Sequence, residues 1–127
     1  MVRLSPEDEI VSAIQGGKIE FELSLVDENG RPVSTAAYDQ YRVGISIDSS
    51  TTLEISQVAN ANGSVMTKVG SAECGIFNVL INPADSATLG TGDRQDIDFE
   101  MSEQADPTNV IRETFPDRLE IRSTSLT

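Results

Sequence analysis

Apolar and polar residues alternate along most of the chain, most clearly between residues 75 and 101. Segment 96–101 alternates acidic with apolar side chains, which places one set on a buried face and the other in water. Segment 76–81 is apolar at all positions but one, which predicts a central strand. Between the two, Asn82 is suited to cap one helical turn near 83–89, whose first residue is a proline.

The same alternation predicts strands through the rest of the chain. Residues 18–27 give the clearest one, and Asn29-Gly30 then suits a tight turn with positive φ. Further strands are predicted at 41–47, 53–57, 64–69, 110–111 and 118–123, with a loop over 102–109 and a turn at 115–117. We therefore predict an all-β fold for residues 18–127, an antiparallel immunoglobulin-like β-sandwich of about seven or eight strands.

Residues 1–17 show a helical rather than a strand period. Ser5-Pro6 and the acids after it are typical of a helix start. Ile10, Val11 and Ile14 then fall on one side at helical spacing. We predict a short N-terminal helical arm here, with two open interpretations: its apolar stripe docks on its own domain, or it docks on a neighbouring subunit. In the second case these three residues bind the partner.

The charge excludes several classes of partner. Nine Lys and Arg residues stand against 21 Asp and Glu, for a net charge of −12. Such a surface repels phosphate backbones and anionic headgroups, which argues against nucleic acid and membrane binding. No apolar run approaches the roughly 18 residues of a membrane span. The start of the chain also lacks the basic-then-apolar order of a signal peptide.

The usual catalytic and metal-binding groups are missing from the sequence. The chain has no His, so a Ser or Cys nucleophile lacks its common base. Cys74 is the only cysteine, and we interpret it as a small buried or half-buried residue. Asp27 opens a stretch that resembles part of a calcium loop, but Tyr38 occupies the position of the required bidentate Glu. We predict a non-enzymatic protein with no cofactor and no metal site.

One acidic row is the exception that leaves a cation possible. Asp96, Asp98 and Glu100 share the outer face of one predicted strand. A solvated strand face is the favoured interpretation, since like charges there repel modestly and are screened by salt. A bridging cation is the open alternative. The row does not suit glycoside hydrolysis, which needs two carboxyls across a cleft.

Taken in order, several short motifs resemble a known family. They are LVDENGRPVSTAAYDQYRVGISI at 25–47, GSV at 63–65, GIFNVLINPADSATLGTGDRQDIDFEM at 75–101 and LEIRSTSLT at 119–127. Together they look like the N-terminal immunoglobulin-like domain of the upper baseplate proteins of tailed bacteriophages. The matching residues are Asp27, Gly30, Pro32, Tyr38, Gly75, Ala87, Leu89, Gly92, Ile97, Phe99 and Met101.

The resemblance implies a virion structural module that anchors a fibre or receptor-binding component by protein–protein contact. Its partners would be other capsid, tail or fibre proteins, in a homo-oligomer or symmetric lattice, after synthesis in the host cytoplasm. Longer members carry a trimerising region after this domain, whereas this chain stops at Thr127. We therefore expect a free-standing subunit, such as a capsid decoration protein, a head-fibre base or a tail or baseplate adaptor.

A carbohydrate- or calcium-binding sandwich module is the alternative function. Sugar sites usually stack pyranose rings on aromatic side chains. This chain has no Trp, and Tyr38 and Tyr41 are its only tyrosines.

Overall fold

The computed structural model describes residues 3–5, 10–48 and 50–123, with side chains described from residue 10 onward. This part of the chain forms nine strands, one α-helical turn and one 3-10 turn. In chain order they are β1 (Arg3–Ser5), β2 (Val11–Ile14), β3 (Ile19–Val26), β4 (Gln40–Ser46), β5 (Thr52–Ser56), β6 (Val65–Val69), the 3-10 turn (Ala72–Cys74), β7 (Ile76–Ile81), α1 (Pro83–Ser86), β8 (Gln95–Glu103) and β9 (Asp106–Arg122).

The strands form two sheets that pack face to face. One sheet has the order β1-β3-β7-β6, and the other has the order β2-β9-β8-β4-β5. Every pairing is antiparallel except that of β2 with β9. This is the layout of an immunoglobulin-like sandwich, so the predicted fold class is confirmed. Seven strands lie within the described residues 18–48 and 50–123, where the alternation predicts seven or eight for residues 18–127.

Aromatic rings connect the two sheets through the core. The ring of Tyr41 lies 4.9 Å from that of Phe77, which lies 5.6 Å from Phe99, which in turn lies 6.3 Å from Phe115. Tilted rings at these separations attract one another beyond the burial of their area. With one cysteine and no Trp, the chain fills its core with these rings and with Leu, Ile, Val and Met side chains.

The unit from β7 to β8 forms as its pattern predicts. β7 lies between β3 and β6, the central position that its almost continuous apolar sequence indicates. Asn82 occupies the N-cap position of α1 with extended backbone, and Pro83 is the first helical residue. The predicted side-chain cap is not formed, because the amide of Asn82 donates to the carbonyl of Asn62 at 2.8 Å instead. The buried Leu89 then anchors the chain before Gly92, whose φ of 104° turns it towards β8.

The predicted N-terminal helix is wrong where the structure describes this segment. Residues 11–14 form β2, which pairs in parallel with Leu119–Arg122 of β9. The same four residues also fit a period of two, since Val11 and Ala13 pack against the core. A short helix is marginal in water, whereas the strand gains backbone partners from β9. Residues 6–9 of the predicted helix start lie outside the described residues.

Two predicted breaks near the C-terminus are also wrong. The loop expected over 102–109 is a two-residue turn, because β8 ends at Glu103 and β9 begins at Asp106. The turn expected at 115–117 is a bulge within β9, marked by a register shift against β8 and by a φ of 56° at Asp117. A bulge accommodates a proline without ending the strand, and for that reason Pro116 does not break it.

Cys74 is exposed, which corrects its interpretation as a buried or half-buried residue. It ends the 3-10 turn, and its Sγ lies 3.4 Å from the hydroxyl oxygen of Ser71. In the described part of the chain, no helix has the length and apolar character needed to cross a bilayer.

Candidate binding surface

The three predicted partner-binding residues do not form a stripe. Val11 points inward and packs against the core. Ile14 points outward and keeps 50% of its surface exposed. Ile10 is half-buried and precedes β2. Because a strand sends successive side chains to opposite faces, Ile14 is the member of the set best placed to meet a partner.

The acidic row on β8 faces outward as predicted, but each acid already has its own partner. Asp96 accepts a hydrogen bond from the backbone N–H of Asp117 at 3.0 Å. Asp98 accepts one from the hydroxyl of Thr114 at 2.7 Å. In the described part of the chain, no three acidic or cysteine side chains are arranged to hold a metal ion.

Glu100 is the centre of an ion-pair ladder that crosses the five-stranded sheet. Arg42 donates to Glu100 and to Glu54, each at 3.1 Å, and Arg112 donates to Glu100 from the other side. The register explains the ladder, since Glu100 lies opposite both Arg42 and Arg112. We name these four residues of β9, β8, β4 and β5 the charge ladder.

The ladder stabilises the charged forms of Glu100 and Arg42. The hydrogen bond from Arg112 lowers the pKa of Glu100 most, burial opposes it, and Arg42 lowers it further. The hydrogen bond and the charge of Glu54 raise the pKa of Arg42. Both shifts favour the ion pair between Glu100 and Arg42.

Beside the ladder, Gly44 leaves a shallow notch in the outer face of the sheet. Asp98 of β8 and Glu54 of β5 lie opposite Gly44 on either side. The concavity measures about 410 Å³ and is also lined by Thr52 and Thr114. Arg42 and Arg112 line the notch together with the carboxylates of Glu54 and Asp98, so it suits a polar side chain of a partner protein better than an apolar one.

A buried carboxylate that the sequence does not single out fixes the loop between β5 and β6. Asp85 of α1 is buried and accepts hydrogen bonds from Asn60 and Asn62 at 2.8 Å each and from the hydroxyl of Ser64. Burial raises the pKa of Asp85, but the bonds from Ser64, Asn60 and Asn62 outweigh it and hold that pKa below its usual range. We name these four residues the Asp85 box.

Three of the residues that carry the family resemblance, Asp27, Pro32 and Gly75, lie close together at one end of the four-stranded sheet. Asp27 closes the predicted turn by accepting the backbone N–H of Arg31 at 3.0 Å, and this bond lowers the pKa of Asp27. The chain then returns to bridge Val26 with Pro32. Gly75 passes so close that an added Cβ would lie 2.6 Å from the carbonyl oxygen of Val33.

The rings of the two tyrosines pack against the core and are not fully exposed on the surface. Both Tyr38 and Tyr41 are half-buried against the core. The hydroxyl of Tyr38 donates to Asn109 at 3.3 Å, and Lys68 Nζ lies 5.7 Å from the ring centroid of Tyr41. This packing does not favour either ring as a platform for a sugar.

Comparisons with known proteins give a fold likeness and no family. No protein-family model matches the sequence, and no curated protein matches it. Among solved structures, the chain is similar to the one titled "Crystal Structure of the RIG-5 IG1 homodimer", with a TM-score of 0.49 and 11% identity, over 98% of this chain and 96% of that chain. A likeness at this level carries no information about partners or activity.

Proposed function

We propose that this protein is a non-catalytic structural component of a bacteriophage particle, which joins one virion protein to another by protein–protein contact. The observation that carries the proposal is the ordered set of motifs at 25–47 and 75–101, which resembles the immunoglobulin-like domain of upper baseplate proteins. Capsid decoration, a fibre base and a tail or baseplate adaptor are the roles that such contact would serve.

The geometry of the motif residues supports the proposal. Turn residues are common in β proteins, so short motifs could match by composition alone. Here Gly75, Pro32 and Asp27 belong to one junction, in which Leu25 donates its N–H to the carbonyl of Gly75 at 2.8 Å and Val33 donates its own to Leu25 at 3.0 Å. A set of residues that depend on one another in space is a more specific signature than separate turns.

The electrostatics argue against acid–base catalysis by the carboxyls whose pKa values shift. The pKa values of Asp27, Asp48, Asp85 and Glu100 are all lowered, and that of Arg42 is raised. Each shift stabilises the charged form of the group. A general acid or base instead needs a pKa near the working pH, which for a carboxyl means a raised value.

Particle assembly tests the proposal directly. The gene is expressed with an affinity tag during phage growth, and virions are purified by density-gradient centrifugation. The protein should co-sediment with virions at a fixed copy ratio that salt washing does not change. Recovery only in the soluble lysate would overturn the proposed function.

A matched pair of variants tests the predicted contact. Ile14 and Val58 are the exposed large hydrophobic residues of the described chain, at 50% and 67%, and they lie at opposite sides of the same sheet. Ile14→Ser should lower incorporation several-fold, whereas Val58→Ser should not. Both variants should keep the wild-type melting temperature, since neither side chain is buried. Equal incorporation of both would reject Ile14 as a contact.

A further inference from the structure

One side of β9 is unpaired over most of its length. β8 pairs with one side of the strand at Asp106, at Val110–Phe115 and at Leu119, with irregular register between these stretches. β2 covers the other side only at Leu119–Arg122. Among residues 3–5, 10–48 and 50–123, no strand pairs with that second side between residues 106 and 115. We name residues 109–115 of β9 the bare edge.

The backbone of the bare edge has hydrogen-bonding capacity to spare. In an antiparallel pair, every second residue directs its N–H and C=O away from the partner strand. Apart from β8, no described residue donates to or accepts from the backbone of residues 109–115. At about 3.3 Å per residue the edge is about 23 Å long, enough for a six- or seven-residue strand to pair.

The ends of the bare edge limit where a strand can add. Pro107 and Pro116 lack an N–H and lie just beyond either end. The bulge at Asp117 then twists the strand before β2 begins its pairing. These features protect an edge against indefinite sheet growth while leaving one short segment available.

Charge indicates which segment would add there. Residues 103–117 contain four acids and one base, Arg112, whose Nε is already held by Glu100. Glu113 lies opposite Phe99 of β8, is half-buried at the edge of the sheet, and makes no hydrogen bond or ion pair to any described residue. A second copy of the chain would bring another charge of −12. A basic segment is therefore a better complement than a self-pairing strand.

The other strand edges are poorer candidates. β5 and β6 are edge strands of five residues each. In β6 the side chain of Lys68 is engaged with the carbonyls of Thr35 at 3.0 Å and Tyr38 at 2.7 Å. The bare edge is the longest run of unpaired strand backbone in the described part of the chain.

We propose that an extended, basic segment of a partner protein adds to the five-stranded sheet as a further strand along residues 109–115 of β9. Main-chain hydrogen bonds would provide the affinity, and a basic side chain opposite Glu113 would provide the selectivity. The inference rests on the proposed role in protein–protein contact and names the place and the chemistry of that contact.

Amide hydrogen exchange followed by NMR tests the edge in the free protein. Within residues 109–115, slow amides bonded to β8 should alternate with fast amides that face solvent. The probe for binding is the peptide acetyl-Val-Thr-Lys-Thr-Val-Thr-Lys-Thr-amide, with the same peptide N-methylated at alternate residues as its control. The plain peptide should slow the fast amides at least tenfold, and the N-methylated peptide should leave them unchanged.

Two charge variants test the selectivity. Glu113→Lys should weaken binding of the basic peptide about fivefold, the range of an exposed ion pair. Glu22→Lys makes the same change of charge on the outer face of the other sheet and should leave the affinity at the wild-type value. Equal weakening by both variants would reduce the effect to net charge and overturn the role of Glu113.

Three results would overturn the proposal. They are uniformly slow exchange across residues 109–115, failure of the peptide to protect the fast amides at millimolar concentration, and self-association of the protein with protection of the same amides. Each can occur while the protein still co-sediments with virions. Failure of the edge is thereby distinguished from failure of the proposed function.

Discussion

Loss of the Asp85 carboxylate should destabilise the protein far more than loss of an exposed acid. Oδ2 of Asp85 accepts from Asn60 and Ser64, and Oδ1 accepts from Asn62. In Asp85→Asn one oxygen can still accept two of these donors, while the new amide nitrogen faces the third. One charge-assisted bond is lost, at about 1.5–3 kcal/mol, and two become neutral. We expect the free energy of unfolding to fall by about 3 kcal/mol.

The pH dependence has a defined sign. The pKa of Asp85 is lowered in the folded protein, so its contribution is present above the unfolded value of about 3.9 and is lost as the pH falls through the folded pKa. Urea unfolding of wild type and Asp85→Asn at pH 7 and at pH 3 measures the loss of free energy of unfolding and its dependence on pH. The gap between wild type and Asp85→Asn should be widest at pH 7 and narrower at pH 3.

Asp93→Asn is the matched control, since Asp93 is exposed and has no hydrogen bond or ion pair to any described residue. It removes the same charge and should change the free energy of unfolding by less than about 0.5 kcal/mol. If Asp85→Asn falls within the same range, or if its gap to wild type does not depend on pH, the bonds of the Asp85 box do not stabilise the loop as argued.

Three further changes test other parts of the structure, each by urea unfolding. Gly75→Ala should lower the free energy of unfolding by about 3 kcal/mol, because φ is 65° and the added Cβ would lie 2.6 Å from the carbonyl oxygen of Val33. Gly16→Ala should lower it by about 1 kcal/mol, because φ is 83° but nothing lies within 4 Å of the added Cβ. Equal costs would remove the steric argument. Glu100→Gln should cost about 1 kcal/mol at low salt and less at 1 M salt, since the charge ladder is partly exposed; an effect independent of salt would contradict an ionic origin. Asp117→Val should lower the free energy of unfolding by about 2 kcal/mol, because the φ of 56° disfavours a branched side chain. Asp117→Gly should lower it by less than about 0.5 kcal/mol, because the bond to Asp96 is donated by the backbone N–H and is kept. Equal costs would show that φ is not the cause.

Period-two alternation predicted most of the fold because it reports directly on which side chains leave water. It located β3, β4, β7 and β8, and it identified β7 as a central strand. At residues 10–14 the pattern fitted both periods, since apolar residues at 10, 11 and 14 suit a helix, whereas 11 and 13 suit a strand. The pairing of β2 with β9, over a hundred residues away in sequence, favours the strand over the helix there.

The candidate surfaces were less accessible to sequence reasoning. The outward direction of Asp98 and Glu100 followed from alternation, but their partners follow from register, which bulges in β9 shift. A proline indicates the end of a strand, so the sequence around residues 107 and 116 does not reveal the single long strand or its bare edge. For Asp85 a local signal was present, the Asn-x-Asn-x-Ser spacing at 60–64 opposite an acidic helix start, but only the fold brings the two together.

The outer face and the bare edge differ in what a partner would have to disrupt. On the face, Arg42, Glu54, Glu100 and Arg112 already satisfy one another, so a partner that covers the charge ladder must desolvate four charges, at a cost of about several kcal/mol for each. On the edge, the neutral N–H and C=O groups that face away from β8 have no backbone partner among the described residues, so an added strand would give them one without breaking an ion pair. Contact should therefore begin along residues 109–115, with the face contributing at most a side chain seated in the notch over Gly44.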